Sequence, residues 1–362
     1  EIYMGDWSSD VCSSDLLNFS SDDVTISADV LSEHGPGLVR VIGDLVQNPA
    51  FPASEVSRVL QARARTLSIA RSQAGPLAQE RFAQVMFGDH PYGRIFPEEE
   101  QLKSYTAELM RAFWTANTGA KRSHLYVAGV YDARRMEQAI RESFSKWAAG
   151  AAPTIQPVKL AESRSLAVID RPKAVQSTIN LGLPVPGPTS PDATALAVTN
   201  ALLGGTFSSR ITSNIREDKG YTYSPFSFLG QAKEGTYWVE VADVTTNVTG
   251  ASLSEVMKEI TRLRTEAPPS DELLGIQNSM AGTFVLQNSS RPGIVNQLQY
   301  VNLHGLGEEW LRTYTSRIRA VTAADVQRVM QSYISPDKMT LVVVGDRSQI
   351  DAQLQPYGGV TP

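Results

Sequence analysis

The sequence predicts an α+β protein built twice, with helices packed on a mainly antiparallel sheet, and three observations lead there. First, short segments recur in one order: residues 27–30 (SADV) return as 241–244 (VADV), and 51–56 (FPASEV) return as 268–273 (PPSDEL). Residues 106–132 (TAELMRAFW…HLYVAGVYD) likewise return as 322–348 (TAADVQRVM…TLVVVGDRS). Second, the spacing is nearly constant, 214 residues from Ala28 to Ala242, 217 from Pro52 to Pro269 and 216 from Gly129 to Gly345, which marks a duplication. Third, 362 residues at 42% hydrophobic and 20% charged are enough for two domains with a sizeable core.

The elements of the second copy follow from their periodicity. Residues 165–172 (SLAVIDRP) and 177–185 (STINLGLPV) are apolar, β-branched runs that end at proline or turn residues, as strands do. Residues 191–204 (PDATALAVTNALLG) space their apolar positions as a helix. Residues 221–230 (YTYSPFSFLG) and 235–244 (GTYWVEVADV) alternate or cluster like strands, and 253–264 is helical. A helix begins after PPSDE, where Ser270 is placed to cap and Glu272 falls in the first turn. Another starts at TAADVQRVMQSYI, and MTLVVVGD closes as a buried strand. Residues 148–163, rich in alanine and proline without amphipathic pattern, form a linker. They separate a first domain, 17–147, from a second, 164–362.

With the repeat as ruler, the first copy is incomplete. About 76 residues separate Leu166 from the Val-Ala-Asp-Val segment, against about a dozen from Leu16 to Ser27, so roughly 60–65 residues holding two strands and a long helix have no counterpart. Residues 1–16 match nothing in the second copy. Residues 6–16 (DWSSDVCSSDL) back-translate, one permitted codon per residue, to what resembles a sequencing-library adaptor, and residues 1–16 are read as an artefact. Cys12, the only cysteine, lies there, so no redox or metal argument uses it.

A net charge of −5 spread over this length gives no reason to expect nucleic acid as partner, and no apolar run is long enough for a membrane span. The histidines, His34, His90, His124 and His304, are far apart. No HxxEH, HExxH or HxH is present, so no pair stands on one helix face as a hydrolytic zinc site needs. No GxSxG offers a serine nucleophile. The stretch with chemical potential is 202–228, LLGGTFSSRITSNIREDKGYTYSPFSF. A Gly-Gly pair leads into a short helix, Arg216 stands near its end, Gly220 is placed to stop it in the left-handed conformation, and a tyrosine-rich strand follows. A guanidinium offers a planar fork of donors to a carbonyl or carboxylate, and a tyrosine hydroxyl can donate to an oxyanion. By residue type alone, Arg216 could equally pair with Glu217 or Asp218, and Tyr221 and Tyr223 could simply pack.

The segment LLGGTFSSRITSNIREDKGYTYS resembles the second-domain signature of the pitrilysin/insulinase family of zinc peptidases. FGDHPYGR (87–94), NPAFPASEV (48–56) and the Val-Val-Gly-Asp strand end are similar to that family too, and the likeness covers 17 to about 358. It implies duplicated α/β-roll domains, which agrees with the repeat. In such proteins the first domain carries HxxEH and a distal glutamate, while the second supplies an arginine and a tyrosine seven residues on. These hold substrate and stabilise the tetrahedral intermediate. Arg216 and Tyr223 have that spacing; Gly204 and Gly205 are expected beside the substrate.

The zinc side departs from the pattern. HxxEH would fall in the segment with no counterpart. The distal glutamate should fall near Ser68, yet no acid occurs between Glu55 and Glu80. The resemblance therefore implies a non-catalytic subunit that binds no metal itself, encloses peptide or unfolded protein, and lends Arg216 and Tyr223 to a zinc-bearing homologous partner. An active zinc endopeptidase whose HxxEH lies in the missing segment, and a purely structural scaffold, are the alternatives. The compartment is not fixed by the sequence; the resemblance leans toward periplasmic or secreted.

Overall fold

The computed structural model of the chain describes residues 17–161 and 163–358; residues 1–16, read above as adaptor-derived, and Cys12 among them lie outside the described residues. Contacts divide the chain into two units. One runs up to Ser57 and adds Tyr105–Thr154; the other comprises Arg58–Ser104 and everything from Ile155 onward. The strands are β1 (Leu17–Phe19), β2 (Val24–Ile26), β3 (Ser165–Asp170), β4 (Gln176–Pro184), β5 (Phe226–Ala232), β6 (Gly235–Thr245) and β7 (Thr340–Gly345). In chain order the helices of the first half are α1 (Gly35–Gln47), α2 (Ala53–Ser72), α3 (Ala74–Phe87), α4 (Glu99–Lys103), α5 (Ala107–Asn117) and α6 (Ala133–Phe144). Those of the second half are α7 (Ala193–Leu203), α8 (Arg210–Thr212), α9 (Thr249–Thr265), α10 (Ser270–Gln287), α11 (Arg291–Leu303), α12 (Glu308–Arg312), α13 (Tyr314–Ala320), α14 (Ala323–Tyr333) and α15 (Arg347–Leu354).

The larger unit is built on a five-stranded sheet of order β3-β7-β4-β6-β5. Only β3 and β7 run parallel; β4 pairs antiparallel with both β7 and β6, and β5 with β6. Every residue of β7 is buried, as an unbroken Leu-Val-Val-Val run requires: such a strand has no polar side to offer water, so both sheet faces must be covered. One face packs Leu181, Trp238, Ala242, Leu341 and Val343 against the apolar stripes of α7, α9, α10 and α14. The other packs Ala167, Val239, Val342 and Val344 under Ala78, Phe82, Ala83, Met86 and Phe87 of α3. Phe82 lies over Gly182, where a Cβ would come within 2.8 Å of its ring, so the helix seats only because the strand has no side chain there. The second unit thus takes in α3, which a division at the linker leaves with the first copy.

In the smaller unit α1 packs on α6 through Val39, Met136 and Ala139, and β1 and β2 form a hairpin. The duplication is visible in its helix caps. Thr106 Oγ1 accepts from the Leu109 amide at the start of α5, and Thr322 caps α14 in a box completed by Asp325. Asp132 accepts from the Arg134 and Arg135 amides ahead of α6, and Asp346 from the Ser348 amide ahead of α15.

Between the caps the copies differ. β7 is flanked by β3 and β4, whereas residues 124–129 join no sheet among the described residues, nor do 27–30. A strand is held by hydrogen bonds from its neighbours, so the same pattern forms a sheet in one copy and not in the other. Two local expectations are corrected. Ser270 is the first residue of α10 and Pro269 holds the cap position without a side-chain bond; Glu272 of that turn instead binds Arg210. The strand expected from Tyr221 starts at Phe226, after Pro225, with Thr222 making only an isolated bridge to Val244.

Candidate functional site

The site grows from the C-terminus of α7. The Gly204 and Gly205 amides both donate to the Asn200 carbonyl, at 3.0 and 2.8 Å, and end the helix. Gly204 is buried, and its carbonyl accepts from the Ser227 amide of β5 at 3.0 Å. A Cβ on Gly204 would lie 2.5 Å from Ser227 Oγ and 2.6 Å from Glu240 Oε2, so only glycine fits. On Gly205 a Cβ would lie 2.5 Å from Asn200 Nδ2. The structure therefore places both predicted substrate-contact glycines against the protein interior.

Beyond this loop, α8 runs into a π-helical turn, Ser213–Asp218, which carries Arg216. The widened turn inserts a residue into the helical ladder and re-aims the side chains after it. Three anchors fix it. Ile211 and Ile215 are fully buried. Arg210 forks onto Glu272, with Nε to Oε1 at 2.8 Å and Nη2 to Oε2 at 2.7 Å. Asn214 Nδ2 donates to Glu259 Oε1 at 2.7 Å and to Glu255 Oε2 at 2.9 Å. Gly220 then stops the turn at φ +65°, as its position in the sequence predicts, with its amide bonded to the Arg216 carbonyl at 3.1 Å.

Arg216 and Tyr223 are brought together. The Arg216 guanidinium carbon is 5.0 Å from the centre of the Tyr223 ring and 4.3 Å from that of Phe207, within cation–π range of both. Tyr223 is 79% and Phe207 68% exposed, yet the Arg216 side chain is only 23% exposed, because the rings cover it. The pairing that sequence left open is also made: Arg216 Nε meets Glu217 Oε1 at 3.2 Å. That pair engages one edge of the guanidinium. The arrangement presents an ordered cation and an exposed phenol side by side, suited to a carbonyl, a carboxylate or a developing oxyanion.

Comparison with known proteins fits this geometry. Residues 104–280, which include Arg216, Tyr223 and the glycine loop, match the family model described as Peptidase M16 inactive domain. Over those residues the chain matches the M16 inactive domain. It is 24% identical over 331 residues to an uncharacterized zinc protease of Streptomyces coelicolor, covering 88% of this chain and 71% of that protein. It is 26% identical over 279 residues to an uncharacterized zinc protease of Mycobacterium tuberculosis, covering 75% of this chain and 61% of that one. A crystal structure of a peptidase M16 inactive domain from Pseudomonas fluorescens shares the fold, with a TM-score of 0.75 at 20% identity over 89% of this chain and 77% of that one.

Among the described residues no three of His, Cys, Asp and Glu stand close enough for a metal ion. Ser68 is exposed on α2, whose acids end at Glu55. A neutral hydroxyl there cannot replace an anionic oxygen ligand. Two histidines have local work: His90 caps the Pro91–Gly93 turn by accepting from the Tyr92 amide at 3.2 Å, and His304 packs on Tyr300 at 4.7 Å.

Sequence reasoning missed three residues of the site. Phe207 gave no signal. Asn214 gave little. Glu240 was legible: on β6 it alternates with Trp238 and Ala242, which places it on the helix-covered face. It is 1% exposed and neither oxygen meets a donor in good geometry. Burial pushes its carboxyl well above the usual range, and the Phe226 amide opposes this only in part.

Proposed function

We propose that this chain is a non-catalytic M16 subunit that encloses an extended peptide and supplies Arg216 and Tyr223 to a scissile carbonyl held by a zinc-bearing homologous chain. The observation that carries it is the Arg216–Tyr223 pair, with Arg216 fixed on the π-turn and stacked on the exposed Tyr223 ring, in a chain whose α2 offers no acid near Ser68. The description of the matched family as an inactive domain supports the same reading.

In this reading Arg216 binds the peptide through the guanidinium edge that Glu217 leaves free, and Phe207 limits its rotation. The Tyr223 hydroxyl donates to the carbonyl oxygen as negative charge develops, and so stabilises the transition state more than the ground state. Gly204 and Gly205 set the height of the loop beside the peptide. The relatives named as zinc proteases favour a second reading, an active zinc endopeptidase, and the chain spans only 71% and 61% of their lengths.

The test is the complex with a zinc-bearing M16 chain on an unstructured peptide. Tyr223→Phe should lower kcat by about 10²–10³ while KM changes little, as loss of one oxyanion donor does. Arg216→Ala should also raise KM. Unchanged kinetics in both variants would leave the chain a scaffold.

A further inference from the structure

Glu240 lies in the middle of β6, across from Leu181 on β4 and Ser227 on β5. Its side chain shares the helix-covered face with Trp238 and Ala242, and Gly204 closes over it so tightly that a methyl group would collide with the carboxyl. Among the described residues, the strands, α7 and the loop that surround it bring no counter-ion, and of the α9 cations, Lys258 and Arg262 pair with the acids of that helix. β4, β5, α7 and residues 204–209 contain no titratable side chain. On β6 itself, Tyr237 and Asp243 stand at the alternate positions and face away. From α9, Glu255 and Glu259 are turned to Asn214. The polar pair beside it, Ser227 Oγ donating to Asn200 Oδ1 at 2.9 Å, is already satisfied.

We propose that Glu240 is a positioning residue for residues 204–207, holding that loop in place only while its carboxyl is protonated. An ionised carboxylate with no well-aligned donor and no cation beside it cannot stay buried at reasonable cost. On its outward side lies the Gly204 backbone, followed by half-buried Gly205 and Thr206 and exposed Phe207. Ionisation therefore displaces the loop, breaks the Ser227 amide bond to the Gly204 carbonyl and carries Phe207 off Arg216. A consequence for peptide binding rests on the proposed function; the loop movement does not.

The experiment uses the whole chain without peptide. Amide exchange at residues 204–207 and 227, corrected for intrinsic rates, is followed from pH 5 to 9 in wild type and Glu240→Gln, whose amide mimics the neutral acid. In wild type the open population should rise about tenfold per pH unit between the ordinary carboxylate pKa and that of Glu240, and in the glutamine variant it should stay flat. A flat wild-type profile, or the same rise in the variant, overturns the proposal. If the variant does not fold, infrared spectra of wild type decide. A protonated-carboxyl band lost in step with loop protection supports the proposal, and one lost at ordinary carboxylate pH overturns it. Peptide binding that ignores pH while the loop responds would count against the proposed function alone.

Discussion

Arg216 is covered by aromatic carbon more than by carboxylate, and this makes Phe207 the side chain whose loss should be most informative. Removing its ring frees guanidinium rotamers that the stack excludes, so Phe207→Ala should raise KM for peptide several-fold and leave kcat nearly unchanged, with Phe207→Tyr restoring it. Steady-state kinetics of the assembled complex check this. Two acids give pH dependences of opposite sign. Asp346 is held at about 2 by Ser348, Gln349 and the Lys173 amide. Its contribution is present above the ordinary carboxylate pKa and fades as pH falls toward 2. Glu240 is raised, so the unfolded chain releases its proton first and stability declines as pH climbs from the ordinary carboxylate range. Urea unfolding against pH should show Asp346→Asn flattening the acid limb and Glu240→Gln the neutral one. At this scale the resemblance singled out Arg216 and Tyr223, and the two side chains do meet, whereas residue type alone left their pairing open. Phe207 was not legible, since an aromatic after Gly-Gly reads the same whether it packs or stacks.

The element that makes the site is the π-turn, and its position depends on neighbours far off in sequence. Asn214→Ala removes both bonds to α9 and leaves Glu259 without its closest donor, so it should cost about 1–3 kcal/mol and lower activity through Arg216. The sheet face beneath α3 offers a test of packing. Phe82→Ala should cost about 3–5 kcal/mol, because a 3% exposed ring over Gly182 leaves a cavity, whereas Phe113→Ala, at 69% exposure on α5, should stay within about 0.5 kcal/mol. Equilibrium denaturation of the two variants separates these outcomes. Elements with strong local signals, β4, β6, β7, α7 and α14, were legible in the sequence. The π-turn was not, because one extra residue in a helical ladder leaves no mark in periodicity. Residues 124–129 carry a strand's pattern yet belong to neither sheet among the described residues, because a strand is a property of its neighbours as much as of its own residues.

Over the whole molecule the duplication is seen in the fold. One copy keeps the sheet, its helical layer and the Arg216–Tyr223 pair; the other keeps the helix caps at Thr106 and Asp132 without an equivalent sheet among the described residues. The repeat was readable because caps and strand ends recur at one spacing. That α3 packs in the second unit was not, since an apolar helix face does not name the sheet it covers. The most direct test is to measure zinc content and cleavage of an unstructured peptide by the purified chain, alone and mixed with a zinc-bearing M16 chain. The account predicts no stoichiometric zinc and no cleavage alone, with cleavage on mixing that falls with Tyr223→Phe. Zinc-dependent cleavage by the isolated chain would contradict it.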